Sequence, residues 1–151
     1  MIERIFIRPP DGPQQLEQQR VQVVAGVGIR GDRYFDAHDE PGQNISFVEA
    51  EAIEAFARRH GRELALSVTG RNVVTRGVRL NELVGQPFMI GGLRFRGVDR
   101  CHPCLGLGEA LAAPGLPPAD VVRQWLDCGG LRADVLSSGE LAVGDTFGAA
   151  D

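Results

Sequence analysis

Short runs of strand character, separated by glycine-rich turns, recur from one end of the chain to the other. Seven are evident, at residues 4–8, 20–24, 71–75, 87–90, 93–98, 131–136 and 140–143. The 20 glycines and 9 prolines of the 151 residues are spread throughout, and strands do not alternate regularly with long helices. This pattern argues against a doubly wound α/β fold and predicts a mainly β chain with a barrel or sandwich core. One domain covering residues 1–151 is expected.

Turn and helix signals add local detail. Residues 93–98 alternate between basic side chains and apolar or small ones, and the preceding Gly91-Gly92 pair predicts a hairpin with residues 87–90. Residues 47–60 predict a helix, which Ser46 and Glu49 would open as a Ser-x-x-Glu capping box.

A second helix is expected over residues 119–126, between two prolines and two glycines. Residues 9–19 predict a polar turn or loop between two strands.

All sixteen basic residues are arginine, and the chain has no lysine. Pyridoxal phosphate is held by a Schiff base to a lysine amine, and this chain has no lysine to form it. We therefore do not expect that cofactor to be covalently bound. A net charge of −4 without basic runs argues against nucleic-acid binding, whereas two or three arginines suit a small anionic ligand. No apolar run has membrane-spanning length and no signal peptide is evident, so we expect a cytoplasmic chain without membrane association.

Residues 100–104 hold two of the three cysteines and one of the three histidines. A thiolate is the chain's best soft nucleophile or metal ligand. The charge of Arg100, and a helix whose first turn includes Pro103, would lower the thiol pKa and so favour the thiolate. The Cys101/Cys104 spacing alone leaves several interpretations open. A closed zinc site needs four ligands, and a thioredoxin-type pair needs a parallel sheet. Two half-buried thiols that only pack are also common.

Seven short motifs, in order and at compatible spacing, resemble the MOSC domain family, which is named after the C-terminal domain of molybdenum cofactor sulfurases. The motifs are GIRGDR (28–33), QNISFVEAE (43–51), GRNVVT (70–75), LNELVGQPF (80–88), CHPC (101–104), GGLRADVL (129–136) and GD (144–145). The resemblance implies a compact, mostly antiparallel β-barrel with a few peripheral α-helices.

The resemblance also implies one essential cysteine, which carries sulfur as a persulfide or ligates molybdenum through its thiolate. Cys104, preceded by proline, matches that position as the candidate catalytic residue and metal ligand. Cys101 matches a second cysteine found in only some members, so it is an accessory candidate, either a resolving thiol or a packing residue. Cys128 stands where many members carry a basic residue before the paired glycines, and it is expected to end a helix.

Three arginines in matching motifs, Arg33, Arg71 and Arg132, are candidates for binding the phosphate of a pterin cofactor. Asn72 is a further candidate for cofactor contact, although it and Asp32 are equally suited to anchoring turns by bonding backbone amides.

Two functions therefore follow from the resemblance. The first is a protein that uses its cysteine thiol, either as a sulfur carrier or transferase or as a molybdenum-cofactor-dependent reductase of N-hydroxylated compounds. The expected partner is a cysteine desulfurase or a redox partner protein. The alternative is a non-catalytic binding or scaffold barrel whose cysteines are structural.

Overall fold

A computed structural model describes residues 1–149, which form two β-sheets and three α-helices. The strands are β1 (Ile2–Ile7), β2 (Leu16–Gln18), β3 (Arg20–Val24), β4 (Gly28–Ile29), β5 (Ile45–Glu49), β6 (Val73–Thr75), β7 (Pro87–Ile90), β8 (Leu93–Arg100), β9 (Leu131–Val135), β10 (Gly139–Ala142) and β11 (Phe147–Ala149). The helices are α1 (Ala50–Arg59), α2 (Leu105–Leu111) and α3 (Pro118–Gln124), with a short 3-10 helix at Leu80–Leu83.

The larger sheet has eight strands in the order β11-β7-β8-β9-β5-β6-β1-β2, and the smaller has the order β10-β3-β4. Every strand pair within residues 1–149 is antiparallel except β5 with β6, which α1 joins as a crossover. Ile2 exchanges backbone hydrogen bonds with the segment before β11, through Gly144 and Asp145, each at 2.8 Å. The large sheet therefore curls toward closure, and the predicted mainly β, mostly antiparallel barrel-like fold is confirmed.

Apolar side chains fill both faces of the central strands. Phe47 and Val73 belong to the core enclosed by the curled sheet, and the next residues, Val48 and Val74, belong to a second core under the helices. The enclosed core contains a cluster of phenylalanines whose neighbouring rings lie 5.6 to 6.4 Å apart. Strands of the smaller sheet contribute Val21, Val23, Ile29 and Leu141 to this core. The smaller sheet therefore covers one side of the barrel.

The predicted start of the first helix is wrong. Residues 45–49 form β5, paired with β9 on one side and β6 on the other, and α1 begins only at Ala50. The capping box does not form, because no side chain caps α1. Ser46 bonds to Asn72 instead, and the Glu49 carboxylate accepts the Leu80 N–H at 3.2 Å. Pairing on both edges of β5 outweighs the local helix signal.

The other predicted elements have counterparts in the structure. All seven predicted strands are present, and β7 and β8 form the predicted hairpin. Helix α3 begins one residue before the predicted second helix and ends two residues before its predicted end. Strands β2, β4, β5 and β11 were not predicted, and β2 lies inside the expected loop at 9–19. Helix α2 was expected only as a helix whose first turn includes Pro103, without a range. None of the helices in residues 1–149 is long and apolar enough to cross a membrane.

Candidate functional site

Five of the seven sequence motifs meet at one groove, which contains two neighbouring cavities. The Cys101 cavity has a volume of about 200 Å³, and the Cys104 cavity has a volume of about 380 Å³. Arg33, Gly70 and Arg71 line both. The Cys101 cavity is further lined by Tyr34, Glu40, Gly42, Gln43, Ile45, Ser46, Asn72, Cys101 and Arg132, and the Cys104 cavity by Arg8, Gln15, Ser67, Val68, Thr69, Cys104, Gly106, Leu107 and Ala110.

Three guanidinium groups of this groove lack an acidic partner. Among residues 1–149, no carboxylate oxygen lies within 4.0 Å of the side-chain nitrogens of Arg8, Arg33 or Arg71. Arg8 and Arg33 are held side by side, because the Arg33 N–H donates to the Arg8 carbonyl at 2.8 Å. The Arg33 guanidinium lies 4.8 Å from the Tyr34 ring centroid, and Arg71 Nε donates to the Gly129 carbonyl at 3.1 Å. The groove therefore presents uncompensated positive charge, as an anion site requires.

Arg132 is in a different electrostatic setting. Its Nη1 lies 2.7 Å from Glu40 Oε1, and its Nη2 lies 3.8 Å from Asp99 Oδ2. Two carboxylates thus offset its charge, so it offers less to an anion than the other three arginines. Its predicted contact with a cofactor stays a prediction.

Asp32 and Asn72 bond the segments of the groove together, as the sequence suggested for both. The Asp32 carboxylate accepts the backbone N–H groups of Arg8 at 2.9 Å and Tyr34 at 3.2 Å. Asn72 Oδ1 accepts the N–H and hydroxyl of Ser46, and its Nδ2 donates to the Phe6 carbonyl and to Asp32. All the bonds that the Asn72 amide can make are thereby used, which supports a positioning role.

We expect Asn72→Ala to lower the free energy of unfolding by about 1–3 kcal/mol, because it leaves several half-buried polar groups without partners. Chemical denaturation measures this loss. Asn81→Ala is the matched control, since the exposed Asn81 amide makes only one hydrogen bond within residues 1–149, to the Asp127 carbonyl. Equal stability losses in the two variants would contradict the positioning role.

Cys101 lies directly after β8 and is 5% exposed. Its N–H donates to the Gly130 carbonyl at 2.8 Å, and a Cβ added at Gly129 would overlap the Cys101 carbonyl oxygen. The paired glycines therefore let the cysteine segment approach the start of β9. Burial raises the pKa of the Cys101 thiol, and the nearby charges of Arg71 and Arg132 act in the opposite direction.

Cys104 is exposed and immediately precedes α2, which begins at Leu105. Pro103 therefore lies outside the helix, and its predicted place in the first helical turn is wrong. Arg100 lies 3.3 Å from Asp127, so the arginines that line the Cys104 cavity are Arg8, Arg33 and Arg71. A Cβ added at Gly106 would lie 3.5 Å from Cys104 Sγ, so the glycine keeps that side of the sulfur uncovered.

Cys128 does not line the groove. It follows α3, is half-buried, and its thiol donates to the Gln124 carbonyl at 3.7 Å. Burial and the nearby Glu49 carboxylate raise its thiol pKa. The predicted helix-end position of Cys128 is close to what is observed, four residues beyond the end of α3.

No metal centre of the closed zinc type is formed by the described part of the chain. Within residues 1–149, no group of three or more His, Cys, Asp or Glu side chains is arranged to hold a metal ion. His102 contacts only a single carboxylate in the ion pairs of residues 1–149, that of Asp99 at 3.5 Å.

The three thiols should alkylate in a fixed order in the folded protein. Cys104 is expected to react first because it is exposed. Cys128 and Cys101 should follow slowly, and their labelling should increase with pH through a range above that of an ordinary cysteine, because burial raises both pKa values. Timed iodoacetamide labelling with peptide mass analysis, at neutral and alkaline pH, measures this, with protein in denaturant as the equal-labelling control. Faster labelling of Cys101 than of Cys104 would contradict the assignment of exposure.

The sequence did not single out Arg8 or Thr69, which both line the Cys104 cavity. Each lies outside the matched motifs, in segments that approach the cysteines only in the folded chain. The one available signal for Arg8 was its place directly after a strand, ahead of two prolines.

One family model matches most of the chain. A model of the MOSC domain matches residues 35–147, and no curated protein matches the chain. The solved structure of the YuaD protein from Bacillus subtilis superposes with a TM-score of 0.80 at 21% identity, covering 97% of this chain and 97% of that one.

Two YiiM structures are also similar. YiiM from Geobacillus stearothermophilus has a TM-score of 0.71 at 16% identity, covering 100% of this chain and 76% of that one. YiiM from Escherichia coli has a TM-score of 0.69 at 15% identity, covering 100% and 70%. At these identities, the likeness to the three structures concerns the fold.

Proposed function

Since the chain belongs to the MOSC domain family, we propose that it carries transferable sulfur on Cys104, in the groove that holds the two cysteine cavities. The family is associated with the molybdenum cofactor and with sulfur chemistry. One observation carries this proposal. Cys104 is the exposed thiol of the three, and it opens into a cavity lined by Arg8, Arg33 and Arg71, which have no acidic partner in residues 1–149.

A persulfide needs this combination of exposure and charge. Its outer sulfur must be reached by both the donor and the acceptor, which an exposed side chain allows and a buried one does not. Its terminal sulfur is an anion at neutral pH, and neighbouring guanidinium groups stabilise an anion. A cysteine desulfurase would supply the sulfur, since this chain has no lysine to hold pyridoxal phosphate itself.

Cys101 fits the accessory role of a resolving thiol. It lines the adjacent cavity, shares Arg71 with the Cys104 cavity, and is only 5% exposed. Burial limits access to Cys101 and raises its pKa, so Cys101 is a poorer acceptor of incoming sulfur than the exposed Cys104.

A second candidate function is binding of the molybdenum cofactor, and the residues present fit such a group. The observation that favours it is Arg8 Nε, which is buried and has no hydrogen-bond partner in the described residues. Arg33 and Arg71, which have no acidic partner in residues 1–149, line the same cavity as Arg8. Arg8, Arg33 and Arg71 would hold the phosphate of the pterin, and the Cys104 thiolate would ligate the metal. A bound molybdenum centre would supply redox chemistry, by analogy with relatives that reduce N-hydroxylated compounds with the help of a redox partner.

Sulfur loading tests the first function. The purified protein is incubated with a cysteine desulfurase and L-cysteine, and its intact mass is measured before and after reductant. The proposal predicts a gain of one sulfur atom that reductant removes. An unchanged mass would contradict sulfur carriage.

Metal analysis separates the remaining candidates. Protein produced with molybdenum available is expected to contain stoichiometric metal and pterin if it binds the cofactor, and Cys104→Ala should then lose the metal. Absence of both added sulfur and metal would favour a binding or scaffold barrel whose cysteines only pack.

A further inference from the structure

We propose that the Cys104 cavity binds small oxyanions that bear a transferable sulfur, of which thiosulfate is the simplest, and that Cys104 takes its sulfur directly from them. This inference rests on the proposed function, because both require Cys104 to accept sulfur. It adds a substrate class and an activity, thiosulfate-dependent sulfur transfer, that needs no desulfurase.

The charge of the cavity favours a small dianion as the sulfur donor. Arg8, Arg33 and Arg71 line it without a carboxylate within 4.0 Å in residues 1–149. Arg33 is exposed, and Arg8 and Arg71 are half-buried. A sulfonate group can supply the counter-charge to these guanidinium groups in bidentate geometry. A partner protein that delivers sulfur from its own cysteine brings no such anion into the cavity.

Two polar atoms around the cavity are left without partners. Thr69 is 7% exposed, and its hydroxyl makes no hydrogen bond within the described residues. Arg8 Nε is buried and equally without a partner there. Buried polar groups are nearly always hydrogen-bonded, so two such atoms beside one cavity indicate an acceptor that is bound in use. Sulfonate oxygens are acceptors of this kind.

Gly70 leaves room between further donors. Its φ is +75°, and a Cβ built there would lie 3.8 Å from Arg8 Nη2 and 3.9 Å from Gln15 Nε2. The glycine thus presents bare backbone between two nitrogen donors of the cavity wall. A compact anion can reach both donors from this position.

Transfer of sulfur from thiosulfate to Cys104 needs no added oxidant or reductant. The Cys104 thiolate attacks the outer sulfur of thiosulfate, a new S–S bond forms at Cys104, and the S–S bond of thiosulfate breaks. Sulfite leaves with the electron pair of that bond, so one anionic thiolate and one dianion give one anionic persulfide and one dianion. Arginines bound to the sulfonate oxygens stabilise the charge that collects on the departing sulfite.

The test compares two sulfur donors on the same protein. Wild-type protein is incubated with thiosulfate alone, and released sulfite is measured together with the sulfur mass gained on Cys104. Equal amounts of sulfite and protein-bound sulfur are expected. If the desulfurase loads Cys104 and thiosulfate does not, this inference is overturned and sulfur carriage stands. If neither donor loads Cys104, both proposals fail.

Charge variants test the recognition step. Arg33→Gln is expected to lower the rate of sulfite release at sub-saturating thiosulfate by roughly tenfold or more, because one charge-assisted contact is lost. Arg94→Gln is the matched control, since Arg94 is exposed on β8 and lines neither cavity, and its rate should equal that of wild type. Thr69→Val, which keeps the side-chain shape, should raise the KM for thiosulfate. Rates for Arg33→Gln and Thr69→Val that match the Arg94→Gln control would overturn the assignment of the cavity.

Discussion

Cys104→Ser is expected to abolish sulfur loading while leaving the protein folded. The serine hydroxyl has the same shape but cannot hold a sulfane sulfur, and Cys104 is exposed, so the exchange disturbs no packing. Cys128→Ser is the matched control, because Cys128 lies outside the groove, and it should load sulfur as wild type does. Intact mass after incubation with desulfurase and L-cysteine measures loading, and thermal unfolding verifies the fold.

Two other outcomes of these exchanges would contradict the roles given to the cysteines. Loading of Cys104→Ser to the level of wild type would place the sulfur on Cys101 or Cys128 and contradict the assignment of Cys104. Loss of loading in both Cys104→Ser and Cys128→Ser, with both proteins folded, would contradict the separation of Cys128 from the site.

Gly130→Ala is expected to destabilise the protein by about 3 kcal/mol or more, because it combines backbone strain with a backbone clash. Gly130 has a φ of +112°, and a Cβ there would overlap the carbonyl oxygen of Phe47 in the central strand β5. Neither partner is the end of a flexible side chain, so the strands themselves must separate. Because the Gly130 carbonyl also accepts the Cys101 N–H, the groove should be disturbed together with the sheet.

Gly144→Ala separates the two causes. Gly144 also has a positive φ, +95°, but among the described residues no atom lies within 4 Å of an added Cβ. This variant should therefore lose only the strain component, about 1–2 kcal/mol. Urea denaturation of the two variants beside wild type measures both losses. A Gly130→Ala loss no larger than that of Gly144→Ala would show that the close approach of β5 and Gly130 does not exist.

Strand periodicity explains how much of the fold the sequence predicted. Strands such as β3 and β8 have one face toward the core and one toward water, so their apolar residues alternate and were found. Strand β5 is buried on both faces and runs directly into the alanine- and glutamate-rich α1, so its local sequence resembles the start of that helix. Only its pairing with β6 and β9 distinguishes it as a strand.

The shortest elements have too few residues to show a periodic pattern in the sequence. Strands β2, β4 and β11 have two or three residues each, and their order comes from the neighbours they pair with. Helix α2 includes Gly106 and Gly108, which lower helix propensity. Gly108 is required there by packing, because an added Cβ would lie 2.7 Å from the Pro118 carbonyl oxygen.

The motif resemblance named residues of the candidate site but not how they are arranged. The motif resemblance led to Cys101, Cys104, Arg33 and Arg71, which do line one groove. The pairing of Arg132 with Glu40 and Asp99 depends on contacts that no local pattern encodes. The same is true of Arg8 and Thr69, whose approach to Cys104 is a consequence of how the strands assemble.

Locating the sulfur atom in the loaded protein decides whether Cys104 carries it. After loading by the desulfurase, the persulfide is capped with an alkylating agent and the protein is digested with trypsin. Cys101 and Cys104 fall in the same peptide, residues 101–123, so fragment ions must separate them. The additional sulfur is expected on Cys104, with Cys101 and Cys128 carrying none. Sulfur found on Cys101, or on no cysteine at all, would contradict it.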